Sequence, residues 1–196
     1  MEVKPKILAR KLLCQTQVFR VEEVELEFSN GSRHTFERIP GGQASVLIVP
    51  LRDPDTVLLI REYAVGTERY ELGLPKGVVE PGEDPLTAAQ REMREEVGFG
   101  AHDLRPVHTV SLVPGYIQHS THIVLARDLY SADLEGDEPE PIEVIPWSLG
   151  EIDTLLQRPD FTEARSIAAL YLVCRFLDRE SGASMLGDSA NVLSGP

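Results

Sequence analysis

Cysteine, cationic side chains and long apolar runs are all scarce in this sequence. Of 196 residues only two are cysteine, Cys14 and Cys174, far apart and without metal-ligand spacing. They read as reduced thiols, not as a disulfide framework. Lys and Arg number 19 against 32 Asp and Glu, a formal charge of −13. Such a chain gets no electrostatic help in holding nucleic acid, which is bound by neutralising its phosphates. It also repels a small anionic substrate unless divalent cations intervene. No stretch approaches the ~20 apolar residues of a membrane span. The opening MEVKPKILARKLL carries charges every few residues and no apolar segment of the signal-peptide kind. The expectation is a soluble, cytoplasmic protein with no nucleic-acid or membrane partner. What is present is ordinary: 42% hydrophobic residues, enough for a core, and 26% charged. The length fits one domain with a small appended part.

Val24, Leu26 and Phe28 alternate with Glu23, Glu25 and Glu27, the period of a half-buried strand. Asn30-Gly31 supplies a hairpin turn, and the chain returns through His34, Phe36 and Arg38. Residues 1–40 are therefore expected to hold a β-hairpin part, with Gly41-Gly42 as a hinge. Two apolar runs, Ser45 to Leu51 and Thr56 to Ile60, read as buried strands joined at Asp53-Pro54-Asp55. Further strands are expected at Val107 to Val113, Thr121 to Ala126 and Ile142 to Ile145. After the Gly- and Pro-rich segment Gly73 to Pro85 a helix should start, with Asp84 as N-cap and Pro85 in its first turn. Gly98 and Gly100 should stop it. An amphipathic helix is expected from about Thr162 to Arg179, on the spacing of Ile167, Leu170, Tyr171, Cys174 and Leu177. Residues 181–196 read as a disordered tail.

On a helical wheel of ~100° per residue, Leu86, Ala89, Met93 and Val97 form the packed side of the first helix. Glu92, Glu95 and Glu96 form a second stripe roughly 110° away, with Ala88 leaving space beside them. A solvated face is the bland reading of such a stripe. Two penalties argue against it. Like charges at i,i+4, as in Glu92 and Glu96, cost a helix about 0.2–0.5 kcal/mol. The glutamates also stand at the C-terminal end, where the macrodipole disfavours negative charge. Divalent cations would remove both penalties, and carboxylate oxygens suit Mg²⁺ or Mn²⁺.

Gly77, Glu83, Arg91-Glu92, Glu95-Glu96 and Gly98 stand at the spacing of the Nudix box, and the chain resembles the Nudix hydrolase superfamily. Met93 and Phe99 occupy positions where the family prefers aliphatic residues. The stretches VELEFSNG, IREYAVGTERYELG, EEVGFGAHD and LYSADLEGDEPEP resemble the ADP compounds hydrolase (NudE-type) subgroup. The resemblance implies an α/β class, the Nudix fold: an α/β/α sandwich with a mixed β-sheet over residues 41–180, plus the N-terminal hairpin part. It implies Mg²⁺-dependent hydrolysis of the pyrophosphate in ADP-ribose, NADH or diadenosine oligophosphates.

The same resemblance assigns roles. Glu92 and Glu96 match the main metal ligands, with Glu95 and the Lys76 backbone carbonyl as further ones. Arg91 and Glu83 brace the loop against the helix and orient the catalytic carboxylates, while Gly77 and Gly98 shape the box. The general base of relatives comes from a late acidic loop, here Glu138 first and Glu140 second. Pro114 stands 15 residues past Phe99, close to a substrate-site proline of ADP-ribose-cleaving relatives. An arginine that many of these carry after an aromatic is replaced by Ala64 after Tyr63, leaving Arg61 or Arg69 to substitute. Tyr63, Tyr70 and Tyr116 are candidates for stacking on adenine, with plain packing the alternative for each. The five histidines share no ligand spacing. Related enzymes exchange the N-terminal part between subunits, which implies a homodimer. The alternatives are a Nudix enzyme for another nucleotide and a non-catalytic ADP-ribose-binding regulator.

Overall fold

The computed structural model describes residues 3–136 and 139–182. The chain divides into two compact units. One comprises the chain up to Ala44 together with Ser111–Thr121; the other comprises Ser45–Val110 and the chain from His122 on.

The first unit is a three-stranded antiparallel sheet in the order β1-β2-β3, with β1 Lys6–Gln15, β2 Arg20–Glu27 and β3 Arg33–Arg38. The expected hairpin is β2–β3, with Val24 opposite Phe36 and Leu26 opposite His34. Its turn closes because Gly31 takes φ 82° and Asn30 Oδ1 accepts from the Ser32 N–H at 3.0 Å. The added strand β1 was hidden in the sequence. Its apolar residues come as the neighbours Ile7-Leu8 and Leu12-Leu13, which breaks the alternation that marks a one-sided strand. β1 also carries register shifts between Ile7 and Ala9 and between Leu12 and Cys14. A bridge from Ile39 to Ile117 ties the segment Ser111–Thr121 to this unit.

The second unit is built on a seven-stranded sheet. β4 (Ser45–Asp53), β5 (Thr56–Ala64), β8 (Phe99–Ser111), β9 (Ser120–Ser131) and β10 (Glu143–Ser148) run in the order β10-β5-β4-β9-β8. Two short strands, β6 (Arg69–Gly73) and β7 (Lys76–Val78), pair with β5 and β4. Strand alternation explains why β4 reads as an unbroken apolar run. Leu47, Val49 and Leu51 pack with Ala169, Leu170 and Val173 of α3 (Ala164–Ser181) and with Ile152 and Leu155 of α2 (Ile152–Leu156). Val46 and Ile48 point the other way, to Ala88, Ala89 and Met93 of α1 (Pro85–Glu96). Each of these side chains is fully or almost fully buried, a gain of roughly 1.5–3 kcal/mol for a large aliphatic one. The result is the expected mixed sheet with helices.

Several boundaries differ from the sequence reading. α2, preceded by a 3-10 turn at Leu149–Glu151, was too short to show a period. Gly100 does not stop α1: it lies in β8, where the Tyr130 ring covers it and a Cβ would come within 2.4 Å of that ring. The stop is Gly98 alone, at φ 77°, and β8 begins directly after it. α3 continues to Ser181 because Gly182 supplies the left-handed cap, at φ 66°. The rest of the expected tail, 183–196, lies outside the described residues. Among the described residues no helix is long and apolar enough to cross a membrane.

Candidate active site

The acidic stripe is set by the ends of α1. Asp84 accepts from the Leu86 N–H at 2.9 Å and from the Thr87 hydroxyl, and Pro85 opens the first turn. At the other end Val97 N–H reaches Met93 O at 3.0 Å. Between these caps, Met93 and Ala89 are pinned to the sheet, and the wheel then fixes where the glutamates go. Ala88, one turn before Glu92, is fully buried in the same apolar cluster. The stripe is not a solvated face. Glu96 is only 7% exposed, and the Glu92 side chain 12%.

Arg91 organises the cluster. Its Nε and Nη2 donate to the two oxygens of Glu83 at 3.2 and 3.1 Å, and Nη2 also reaches Val78 O at 2.9 Å. Nη1 donates to Glu92 Oε1 at 2.7 Å and to Glu95 Oε2 at 3.1 Å. One guanidinium thus joins the loop after β7 to the helix, the contact that a bracing pair requires. Glu83 also accepts from the Glu80 N–H at 3.0 Å, so the turn before the helix is closed on itself. Glu96 takes its partner from the strand instead: the Lys76 N–H donates to its Oε2 at 2.8 Å. Lys76 Nζ lies 2.6 Å from Glu62.

Gly77 has a physical reason that the spacing alone did not reveal. A Cβ there would stand 1.9–2.2 Å from the Glu92 carboxylate. The backbone of β7 and the carboxylate share space that only a glycine leaves open.

Burial sets the electrostatics. It pushes the Glu96 carboxyl up to about 8, against the nearby Lys76, with Glu92 and Glu62 adding repulsion. Burial raises Glu92 as well, against Arg91. Glu83 moves the other way, because its hydrogen bonds to Arg91 favour the carboxylate. The repulsion expected along the stripe is relieved in part by Arg91, whose charge stands between Glu92 and Glu95. Among the described residues no three acidic, His or Cys side chains converge to hold an ion as they stand. The donor chemistry nevertheless fits a hard cation: three carboxylates from one helix, and a glycine that leaves the Glu92 carboxylate room.

The other candidates are scattered. Arg61 lies between Glu143, with Nε 3.0 Å from Oε2, and Asp160, with Nη1 3.5 Å from Oδ2. The first contact is an ion pair without hydrogen-bond geometry. Arg69 stands opposite Ala64 in the β5–β6 register, with its Nε 2.6 Å from Glu71. Tyr63 and Tyr70, also opposite one another, are each 46% exposed, with rings edge-to-face at 5.4 Å. The Tyr70 hydroxyl donates to Glu140 Oε1 at 2.6 Å. Tyr116 is exposed in the first unit, as is Pro114. Glu138 lies outside the described residues. His102 stacks on Tyr130 and His122 Nδ1 lies 3.1 Å from the Thr109 hydroxyl. The Glu62–Lys76 pair and the tie from Tyr70 to Glu140 had no signal in the sequence, since each joins residues from separate elements.

Comparison with known proteins bears on both units. Residues 41–170 match the NUDIX domain model, and residues 5–38 match that of the NudE-type Nudix hydrolase N-terminal domain. The chain is 50% identical over 175 residues to the ADP compounds hydrolase NudE of Escherichia coli (strain K12), covering 89% of this chain and 94% of that protein. It is 27% identical over 174 residues to an ADP-ribose pyrophosphatase of Bacillus subtilis (strain 168), covering 84% and 92%. A crystal structure of an ADP compounds hydrolase superposes with a TM-score of 0.86 at 48% identity, covering 93% of this chain and 98% of that one.

Proposed function

Because the chain belongs to the Nudix hydrolase family and carries a NudE-type N-terminal domain, we propose that it hydrolyses the pyrophosphate of ADP-linked compounds. ADP-ribose, NADH and diadenosine oligophosphates are the substrates, and AMP and a phosphorylated partner are the products. The observation that carries this reading is the buried stripe Glu92, Glu95 and Glu96 against Gly77, in a chain half identical to an ADP compounds hydrolase.

Mg²⁺, replaceable by Mn²⁺, is the cation that an all-oxygen donor set selects. Glu92 and Glu96 are its main ligands, with Glu95 and the Lys76 carbonyl as further ones. When bound, the ion neutralises pyrophosphate oxygens and lowers the pKa of the attacking water. The chain's own residues do the rest. Glu83 and Arg91 orient the carboxylates, so their effect on metal binding is indirect. Glu138 takes the proton from water. Tyr63 offers an exposed ring to the adenine. Arg69, exposed and opposite Ala64, is better suited than Arg61 to replace the absent arginine, since Arg61 is engaged by two carboxylates.

The protein works as a homodimer in the cytoplasm. Support for the dimer comes from β1, where Ile7, Leu8, Leu12 and Leu13 are 40–49% exposed. Adjacent positions of a strand point to opposite faces, so apolar side chains stand uncovered on both.

AMP release from ADP-ribose, NADH and diadenosine triphosphate, with dGTP as control, tests the substrate class. AMP from the first three and little turnover of dGTP is expected. Preferential cleavage of dGTP would point to a triphosphate enzyme. Tight ADP-ribose binding without turnover in Mg²⁺ or Mn²⁺ would make the protein a regulator.

A further inference from the structure

The acidic loop between β9 and β10 is tied down before and after residues 137–138. Leaving β9, it runs along the C-terminal end of α1. Ala132 N–H donates to Gly98 O at 3.0 Å, Leu134 N–H to Arg94 O at 3.1 Å, and Arg94 Nε back to Ala132 O at 3.3 Å. Gly136 then passes over Glu95, close enough that a Cβ would lie 3.5 Å from Glu95 Cβ. On the other side stands Glu140, just before the chain enters β10. Its side chain is tied to a different element: Tyr70 of β6 donates its hydroxyl to Oε1 at 2.6 Å. Tyr70 is itself held, since its ring packs edge-on against Tyr63, its partner across the β5–β6 pair.

We propose that Tyr70 and Glu140 are positioning residues, which together fix the second end of this loop relative to α1. Glu140 then acts through its hydrogen bond and not as the proton acceptor. The inference rests on the reading that a carboxylate of this loop serves the hydrolysis.

Three considerations support it. Tying Glu140 to β6 restricts the chain at that residue before substrate arrives, which lowers the cost of reaching a productive geometry. A short bond from a neutral hydroxyl to a carboxylate is among the stronger kinds available to an exposed pair. The phenol is the donor at neutral pH, because the bond to Glu140 pushes the Tyr70 hydroxyl above its ordinary 10.0.

Three variants separate anchor from base. Tyr70→Phe keeps the ring on Tyr63 and removes the hydroxyl. Glu140→Gln keeps an oxygen that accepts from the phenol but cannot take up a proton. Glu140→Ala removes both capacities. Two quantities are read: kcat and KM for AMP release from ADP-ribose in Mg²⁺, and the ¹⁵N order parameters of the backbone amides of residues 140 and 142 in substrate-free protein. Tyr70→Phe and Glu140→Ala should lower kcat by about tenfold with KM nearly constant, the size of one hydrogen bond to a charged group. Both should lower the order parameters at 140 and 142, and Glu140→Gln should recover most of what Glu140→Ala loses on both readouts. If Glu140→Gln falls as far in kcat as Glu140→Ala with the order parameters retained, Glu140 is the base and the proposal is overturned. Unchanged order parameters in Tyr70→Phe overturn it as well. A wild-type protein inactive on ADP-ribose would contradict the substrate reading instead, while the order parameters would still decide on the anchor.

Discussion

At Gly77 a single methyl group decides whether the Glu92 carboxylate keeps its place. The clash falls on the end of a flexible side chain and not on backbone, so Gly77→Ala can be accommodated by swinging Glu92 away. We expect its Tm to stay within a few degrees of wild type while kcat falls at least a hundredfold, about 3 kcal/mol in the barrier. A melting curve beside a rate assay checks both halves. Arg91 serves Glu83, Glu92, Glu95 and Val78 O through three separate nitrogens, a fork that an ammonium group cannot reproduce. Arg91→Lys should therefore weaken Mn²⁺ affinity about 10–100-fold, the range for residues that orient ligands, as read by calorimetric titration. The two cysteines should also separate by environment. Cys14 is exposed, whereas Cys174 is buried against α2 and the sheet, its thiol pushed up to about 11 by burial and by Asp178. A thiol reagent at pH 8 should spare Cys174 in the native protein and modify both cysteines after unfolding.

Among the elements, α3 depends on a carboxylate at its start. Glu163 accepts from the Arg165 and Ser166 N–H groups and from the Ser166 hydroxyl, and Ser166 Oγ in turn accepts from the Leu74 N–H. Burial pushes Glu163 up, but Arg165 and these donors outweigh it and hold its carboxyl below the ordinary 4.5. A depressed folded value means the stabilisation is complete above pH 4.5 and fades as pH falls through the folded pKa. Glu163→Ala should cost on the order of 1 kcal/mol at pH 7 and progressively less below pH 4.5, measured by denaturant unfolding across pH.

The elements also differ in how legible they were. β4 could be read because both of its faces are buried, and α1 because Asp84, Pro85 and Gly98 punctuate it. β1 could not, since its apolar residues are exposed on both faces and follow no single period. β7 sits inside the Gly- and Pro-rich stretch and β6 ends at its first glycine, so these two short strands owe their character to pairing with β4 and β5 rather than to a local period. The glutamate stripe was visible as a spacing. Its depth, its tie to Lys76 and the anchor at Tyr70 depend on residues from other elements, which a linear pattern does not carry.

For the whole molecule, the uncovered β1 makes association a direct prediction. Leu8→Glu combined with Leu12→Glu should shift sedimentation at low micromolar concentration from dimer to monomer. A wild type that sediments as a monomer would remove the need for a second copy. The charge of −13 bears on the proposed catalysis in a different way, because an acidic chain repels a pyrophosphate unless cations intervene. That requirement and the buried glutamates meet in one measurement: AMP release from ADP-ribose with and without Mg²⁺, for wild type and Glu96→Gln. Release should need Mg²⁺ in the wild type and fall at least a hundredfold, about 3 kcal/mol, in the variant. Near wild-type turnover of Glu96→Gln at saturating Mg²⁺ would contradict the metal role proposed for Glu96.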